Sequence, residues 1–227
     1  EKMNNSLKIS IITVSFNAGS TIQDTIKSVI SQSYDNIEYI IIDSASTDNT
    51  IDVIQSFEQD VAYFVSERDQ GIYDGMNKGI RVATGDIIGI LNADDVYPNR
   101  FVIEDVINHF IQNDSDTIFG DLVYVDPQNM DKVVRYWKSG NYDRAKIQYG
   151  WMLPHPTFFV KSSIYKRFGL YNIELKQAAD YEMILKLLYK HNILVAYIPM
   201  ILVKMRMGGA SNVSLLQRLK ANKEDGL

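Results

Sequence analysis

Short blocks of branched apolar residues alternate with segments whose apolar positions recur every three or four residues, and this rhythm fills the first half of the chain. Leu7 to Val14 is an apolar, β-branched run of the kind buried on both faces of a parallel sheet. Ser20 and Gln23 have capping-box spacing, and Ile22, Ile26, Val29 and Ile30 follow at helical period. Ile37 to Ile42 predicts a second strand, and Asp48 or a neighbour caps a helix carrying Ile51 and Ile54. Val61 to Val65 predicts a third strand, Ile72 to Ala83 a third helix and Ile87 to Leu91 a fourth strand. A β-α-β-α-β-α-β order implies right-handed crossovers and a mostly parallel sheet.

The second half is less periodic. Arg100 to Asn113 predicts a helix. Thr117 to Val125 and Lys132 to Lys138 predict strands, joined through the turn-forming Asp126-Pro127-Gln128-Asn129. Trp151 to Pro156 reads as an irregular loop, Ala178 to His191 as a helix, and Ile193 to Ile198 and Ile201 to Met207 as two strand-like runs ending at Gly208-Gly209. The pattern predicts one α/β domain over all 227 residues: a nucleotide-type half at about 7–97, an accessory half at about 98–210, and a helical end at 211–227. The chain opens on Glu1 rather than Met, and Arg218 to Leu227 reads as a helix cut short, so the sequence reads as an excised piece.

Composition narrows the chemistry. Lys and Arg number 23 against 28 Asp and Glu, a net charge of −5, which argues against sequence-independent nucleic-acid binding. There is no cysteine, so disulfides, thiolate catalysis and Cys-based metal centres are excluded. No apolar run approaches the roughly 18 residues of a membrane span. The loops that follow the four predicted strands are polar: Ser15-Phe16-Asn17, Asp43 to Ser46, Ser66 to Asp69 and Asn92 to Asp95. A parallel sheet gathers such loops in one crevice at its carboxyl edge. Asp94 and Asp95 repel one another unless a cation is near, and hard divalent cations prefer such oxygen ligands; a helix-capping role is the alternative. No Gly-x-Gly-x-x-Gly or P-loop motif is present. Gly71, Gly75 and Gly79 repeat every four residues, a spacing that predicts a close packing face.

Four segments in order, Ser10-Ile-Ile-Thr-Val-Ser-Phe-Asn17, Ile40 to Thr50, Ser66 to Gly79 and Ala83 to Asp95, resemble the family 2 glycosyltransferases. The resemblance implies a GT-A fold, a three-layer αβα arrangement with an accessory acceptor-side region. It implies an inverting transferase that uses a nucleotide-sugar donor, expected to be a UDP-sugar, and a divalent cation, Mn²⁺ or Mg²⁺. It places Thr13, Ser15, Asp43 and Asp69 in the nucleotide site. Asn92-Ala93-Asp94 falls on the family's Asp-x-Asp motif, so Asp94 is the expected metal ligand, with Asn92 and Asp95 beside it. Asn92 stands where the motif has its first Asp, and Ser44 where the usual Asp-Asp-Gly-Ser stretch has its second.

Asp180, in Ala178-Ala-Asp-Tyr-Glu, matches the family's catalytic base, with Glu182 a weaker choice and an ordinary N-cap as the alternative. His155, between two prolines, is a candidate for the metal or acceptor site, or a structural residue. Lys78 and Arg206 are candidate diphosphate contacts or solvated cations; Arg206 would act on a glycine-hinged loop. The expected partners are the donor and a saccharide or lipid-linked saccharide acceptor. The expected setting is cell-surface polysaccharide synthesis in the cytoplasm, at the inner face of the cytoplasmic membrane. A sugar-nucleotide pyrophosphorylase is the alternative enzyme, but Ser15 to Ser20 lacks the basic, glycine-rich phosphate loop it needs. A nucleotide-sugar-binding domain without catalysis is the alternative outside enzymes.

Overall fold

A computed structural model describes residues 7–147 and 150–208. The expected C-terminal helix at 211–227 lies outside the described residues. The first half follows the predicted alternation: β1 (Ile9–Ser15), α1 (Ile22–Ile30), β2 (Ile37–Asp43), α2 (Thr50–Gln55), β3 (Tyr63–Ser66), α3 (Ile72–Val82) and β4 (Ile87–Ile90). The second half holds α4 (Val102–Gln112), β5 (Thr117–Asp126), β6 (Asn129–Trp137), α5 (Arg144–Ile147), a 3₁₀ turn at His155–Thr157, β7 (Phe159–Lys161), α6 (Ser162–Phe168), α7 (Ala179–Ile184) and β8 (Val195–Arg206). A π-helical turn, Leu185–Lys190, continues α7, so the predicted helix over Ala178 to His191 is present with a wider last turn.

The strands form a single sheet in the order β3-β2-β1-β4-β7-β5-β6, with β8 alongside β5. β1, β2, β3 and β4 run parallel, and so do β5 and β8. β7 is antiparallel to both β4 and β5 and joins the two halves. Alternation in β1 sends Ile9 and Ile11 into a core with α1, α2 and α4, and Ile12 and Val14 into a second core with α3, α6 and α7. That is the expected three-layer αβα arrangement.

Several sequence expectations are corrected. Ser20 does not cap α1; Thr21 occupies that position without a side-chain cap. The two runs before Gly208 are one strand, β8, in which Pro199 falls where the register with β5 shifts. A proline has no amide proton for the ladder, so it belongs at such an irregularity. Gly120 sits opposite, where a Cβ would come within 2.5 Å of Leu202. β7 and α6 are too short for periodicity to announce.

Glu38 ties the rim of the sheet. It pairs with Lys8 at 2.8 Å and accepts hydrogen bonds from Ser10 at 2.6 Å and the Thr84 amide at 2.7 Å. Burial works to raise its pKa, but these donors overcome it and hold the carboxyl at about 2, against 4.5 ordinarily. A folded-state value below the unfolded one gives stability that is present above about pH 4.5 and lost as pH falls toward 2. Glu38→Gln should therefore lower stability by about 2 kcal/mol at pH 7. The loss should shrink below pH 4 in denaturant titrations.

Candidate active site

The parallel register sets the first part of the site. Ser15, Asp43 and Ser66 end β1, β2 and β3 as direct neighbours. Asp43 is fully buried and accepts hydrogen bonds from Ser15 Oγ (2.8 Å), Ser46 N (2.8 Å), Ser46 Oγ (2.6 Å) and Ser66 Oγ (2.7 Å). These hydrogen bonds tie the ends of β1, β2 and β3 together beneath the crevice that those ends form. Thr13 is also beneath it, fully buried against the Tyr39 hydroxyl at 3.1 Å. The loops after β1 and β2 are latched together: the Asn17 amide donates to Ser46 Oγ, and Asn17 Oδ1 accepts from the Thr47 amide. Asn17 and Ala45 both hold left-handed backbone, at φ 49° and 52°. For Ala45 that conformation carries strain, which the Asp43–Ser46 hydrogen bonds sustain. What the loop shows to solvent is Phe16, 64% exposed.

The loop after β4 is built by α1 and β8. Thr21 Oγ1 donates to the Ala93 carbonyl at 2.9 Å, Thr25 Oγ1 to the Asp95 carbonyl at 2.8 Å, and Ser28 Oγ accepts from the Tyr97 amide at 3.2 Å. These three side chains form one stripe on α1. On the other side Val96 and Lys204 exchange backbone hydrogen bonds, which brings the end of β8 against the loop. Asp95 is fully buried, Asn92 nearly so and Asp94 partly. Asn92 Nδ2 donates to Asp95 Oδ2 at 3.2 Å, while Asn92 Oδ1 and Asp95 Oδ1 are buried without hydrogen-bond partners among the described residues. Burial raises the pKa of Asp94; burial and then the Asp94 charge push that of Asp95 well up, and the nearby Arg206 opposes both shifts.

Two desolvated carboxylates with uncommitted oxygen make an oxygen donor set that a hard divalent cation would relieve. Among the described residues no cluster of three or more acidic or histidine side chains completes a metal cage. Arg206 is not on a hinged loop: it is the buried last residue of β8, bound to the Pro127 carbonyl at 2.7 Å and ion-paired with Asp24 of α1.

The third loop is drawn in by α3. Lys78 pairs with Glu67 at 2.8 Å and donates to the Arg68 carbonyl at 3.1 Å, so it anchors this loop. Asp69 Oδ1 accepts the Gly71 amide at 2.9 Å. Gly71 has φ 121° and begins α3; it is not part of a packing face. Gly75 and Gly79 are, because a Cβ at Gly79 would come within 2.4 Å of Ile12 and one at Gly75 within 3.3 Å of Val14. Gly79→Ala should cost about 1–3 kcal/mol through this overlap, read as a fall in denaturation midpoint.

Asp180 lies in the first turn of α7, but Ala178 is at the N-cap and no side chain caps the helix. Its Oδ1 accepts the Tyr73 hydroxyl at 3.0 Å instead. His155 is buried with Nε2 at 2.7 Å from the Tyr171 hydroxyl. Burial lowers its pKa, and the neighbouring Asp180 charge opposes that. The structure thus brings His155 near Asp180. Glu182 has Oε2 buried without a hydrogen-bond partner among the described residues.

Sequence reasoning missed Asp24, Tyr73, Phe16 and the Thr21-Thr25-Ser28 stripe. The i, i+4, i+7 spacing was a signal for the stripe. Nothing local marked Asp24 or Tyr73, whose partners lie 182 and 107 positions away.

Residues 10–173 match the protein family described as Glycosyl transferase family 2. A glycosyltransferase of Mycobacterium tuberculosis with no characterised activity is 34% identical over 183 residues, covering 78% of this chain and 68% of its own. A PGL/p-HBAD biosynthesis glycosyltransferase of Mycobacterium bovis is 23% identical, covering 89% and 78%. Among solved structures, S. aureus TarS 1-349 in complex with UDP-GlcNAc superposes with a TM-score of 0.74 at 17% identity, over 92% of this chain and 61% of that one. The mannosyltransferase PcManGT from Pyrobaculum calidifontis, in complex with GDP-Man and Mn²⁺, gives a TM-score of 0.71 at 16% identity, over 99% and 66%. This chain therefore spans slightly less than two thirds of either solved structure.

Proposed function

From the premise that the chain belongs to glycosyl transferase family 2, we propose that it moves a sugar from a UDP-sugar to an acceptor hydroxyl with inversion at the anomeric carbon. The observation that carries this reading is the pair Asp94 and Asp95, desolvated on one loop at the carboxyl edge of the parallel sheet, with Arg206 beside them. Asp94, with Asp95 and Asn92 next to it, would hold a divalent cation, which would offset charge developing on the leaving diphosphate. Phe16 offers a flat apolar surface for the base above the Ser15–Asp43 platform. Lys78 and Asp69 fix the neighbouring loop.

In the transfer step the acceptor oxygen forms its bond to the anomeric carbon from the face opposite the diphosphate. The bond from that carbon to the diphosphate oxygen breaks, and its electron pair leaves with UDP. The acceptor's proton passes to Asp180. We assign the acceptor to a saccharide or lipid-linked saccharide of a cell-surface polysaccharide pathway, at the inner face of the cytoplasmic membrane. The biosynthetic name of the mycobacterial relative supports a biosynthetic setting. Among the described residues no helix is long and apolar enough to cross a membrane.

The test is a thermal-shift screen of UDP-, GDP- and dTDP-sugars with Mn²⁺ or Mg²⁺, followed by assay of nucleoside diphosphate release and of product configuration. A UDP-sugar should give the largest shift by mass action and should be turned over to a product of opposite anomeric configuration. Binding without turnover on any acceptor or water would make the chain a nucleotide-sugar-binding domain. Retention of configuration would remove Asp180 from its role.

A further inference from the structure

Among the described residues Asp180 receives one hydrogen bond, and several side chains hold its donor in place. Tyr73 on α3 is largely buried, and its hydroxyl donates to Asp180 Oδ1 at 3.0 Å. Its ring stacks on Tyr171, with centroids 5.9 Å apart and planes 20° from parallel. Tyr171 is bolted to α3 through Asn77, one turn beyond Tyr73: Asn77 Nδ2 donates to the Tyr171 carbonyl at 2.8 Å, and the Tyr171 amide donates to Asn77 Oδ1 at 2.9 Å. The Tyr171 hydroxyl meets His155 Nε2 at 2.7 Å and the Tyr165 hydroxyl at 3.2 Å. Three aromatic side chains and an amide pair therefore fix a phenol against one oxygen of a carboxylate.

No ion pair engages Asp180 among the described residues, and no hydrogen bond to its Oδ2 is made there. A carboxylate held through one oxygen leaves its other oxygen available to a substrate hydroxyl. Without that donor its terminal torsion is broad and either oxygen can swing away.

We infer that Tyr73 is a positioning residue for Asp180: its hydroxyl holds Oδ1 so that Oδ2 faces the hydroxyl to be deprotonated. The inference rests on the reading of Asp180 as the base. The aromatic stretch at 165–171, the 155–157 turn and α3 then form one rigid support for the base.

The experiment compares wild type, Tyr73→Phe, Asp180→Asn and the double variant of the full chain. It uses the UDP-sugar turned over in the assay above, with Mn²⁺ and water as acceptor, and reads UDP release. Tyr73→Phe removes one oxygen and keeps the stacked ring. It should lower kcat about 10-fold, the scale of one hydrogen bond to a charged group, with donor KM unchanged and thermal midpoint near wild type. In the Asp180→Asn background it should have no further effect.

If Tyr73→Phe keeps wild-type kcat while Asp180→Asn does not, the base stands and the positioning role falls. If neither changes kcat, or wild type turns over no donor, the base reading fails first and this inference with it. A Tyr73→Phe chain that loses its fold, loses only KM, or multiplies with Asp180→Asn would make the hydroxyl a packing or substrate group and overturn the inference.

Discussion

Asp180→Asn should fold, bind donor and turn over about 10²–10⁴-fold more slowly, the usual contribution of a positioned general base. The sequence left two roles open for this residue, a base or a helix cap, and the substitution separates them because the structure removes the second. Ala178 is at the N-cap of α7, and Asp180 makes no capping hydrogen bond. Asparagine keeps an oxygen for the Tyr73 hydroxyl and nearly the same volume, so the first turn of α7 loses only the attraction between a carboxylate and the helix N-terminus. That is worth about 0.3–1 kcal/mol, a shift of a few degrees in thermal midpoint. What is lost entirely is the ability to take a proton. Wild-type kcat per folded molecule would remove Asp180 from the chemistry. Loss of donor affinity with normal kcat at saturation would move it into the donor site.

Asp94→Ala should move two measurements in opposite directions. Turnover should fall about 10³-fold or more, since an ion offsetting charge on a leaving diphosphate supplies several kcal/mol of transition-state stabilisation. The extra thermal stability that Mn²⁺ confers in the presence of UDP should vanish as well. The metal-free chain, however, should be as stable as wild type or more so. Asp94 is partly buried, burial raises its pKa, and its charge pushes Asp95 further up. Removing it takes a repulsion out of the fold and leaves Arg206 facing Asp95 and Asp24. A variant that loses activity together with metal-free stability would show that Asp94 holds the loop. One that keeps turnover with Mn²⁺ would end the metal assignment.

The first half of this molecule was legible because its strands are buried on both faces and its helices are amphipathic, so the pattern itself carried β1 through β4. The polar stretch after each strand was legible for the same reason, since the parallel order implied their convergence. Asp94, Asp95 and Asp180 were singled out as candidates from the sequence, but the side chains around them were not. Tyr73 reads as one aromatic on an apolar helix face, and its bond to Asp180 exists only once α3 and α7 pack on the same side of the sheet. Arg206 reads either as the solvated end of a strand-like run or as a cation on a glycine-hinged loop, and register with β5 pairs it with Val125 within β8. Asp43 reads as a donor contact, and its four hydrogen bonds turn it inward. β7 escaped because three residues cannot show a period.

β8 carries a consequence for the order in which the protein becomes competent. Its first residues pair with β5, where Thr117 meets Val195, and its last ones lock Val96 to Lys204 and Asp24 to Arg206. The contact between Asp24 and Arg206 spans 182 positions. On a ribosome adding about 5–20 residues per second, β1 to β4 emerge roughly 5–20 s before β8 does. During that interval Asp94 and Asp95 have neither the opposing guanidinium nor the strand that closes their loop. Distant contacts of this kind also slow folding, because a long loop must close before it is rewarded. Asp94 and Asp95 are thus among the last side chains to be set in place, although their segment is among the first made. A lesion that frays β8 would then silence them without touching the loop itself.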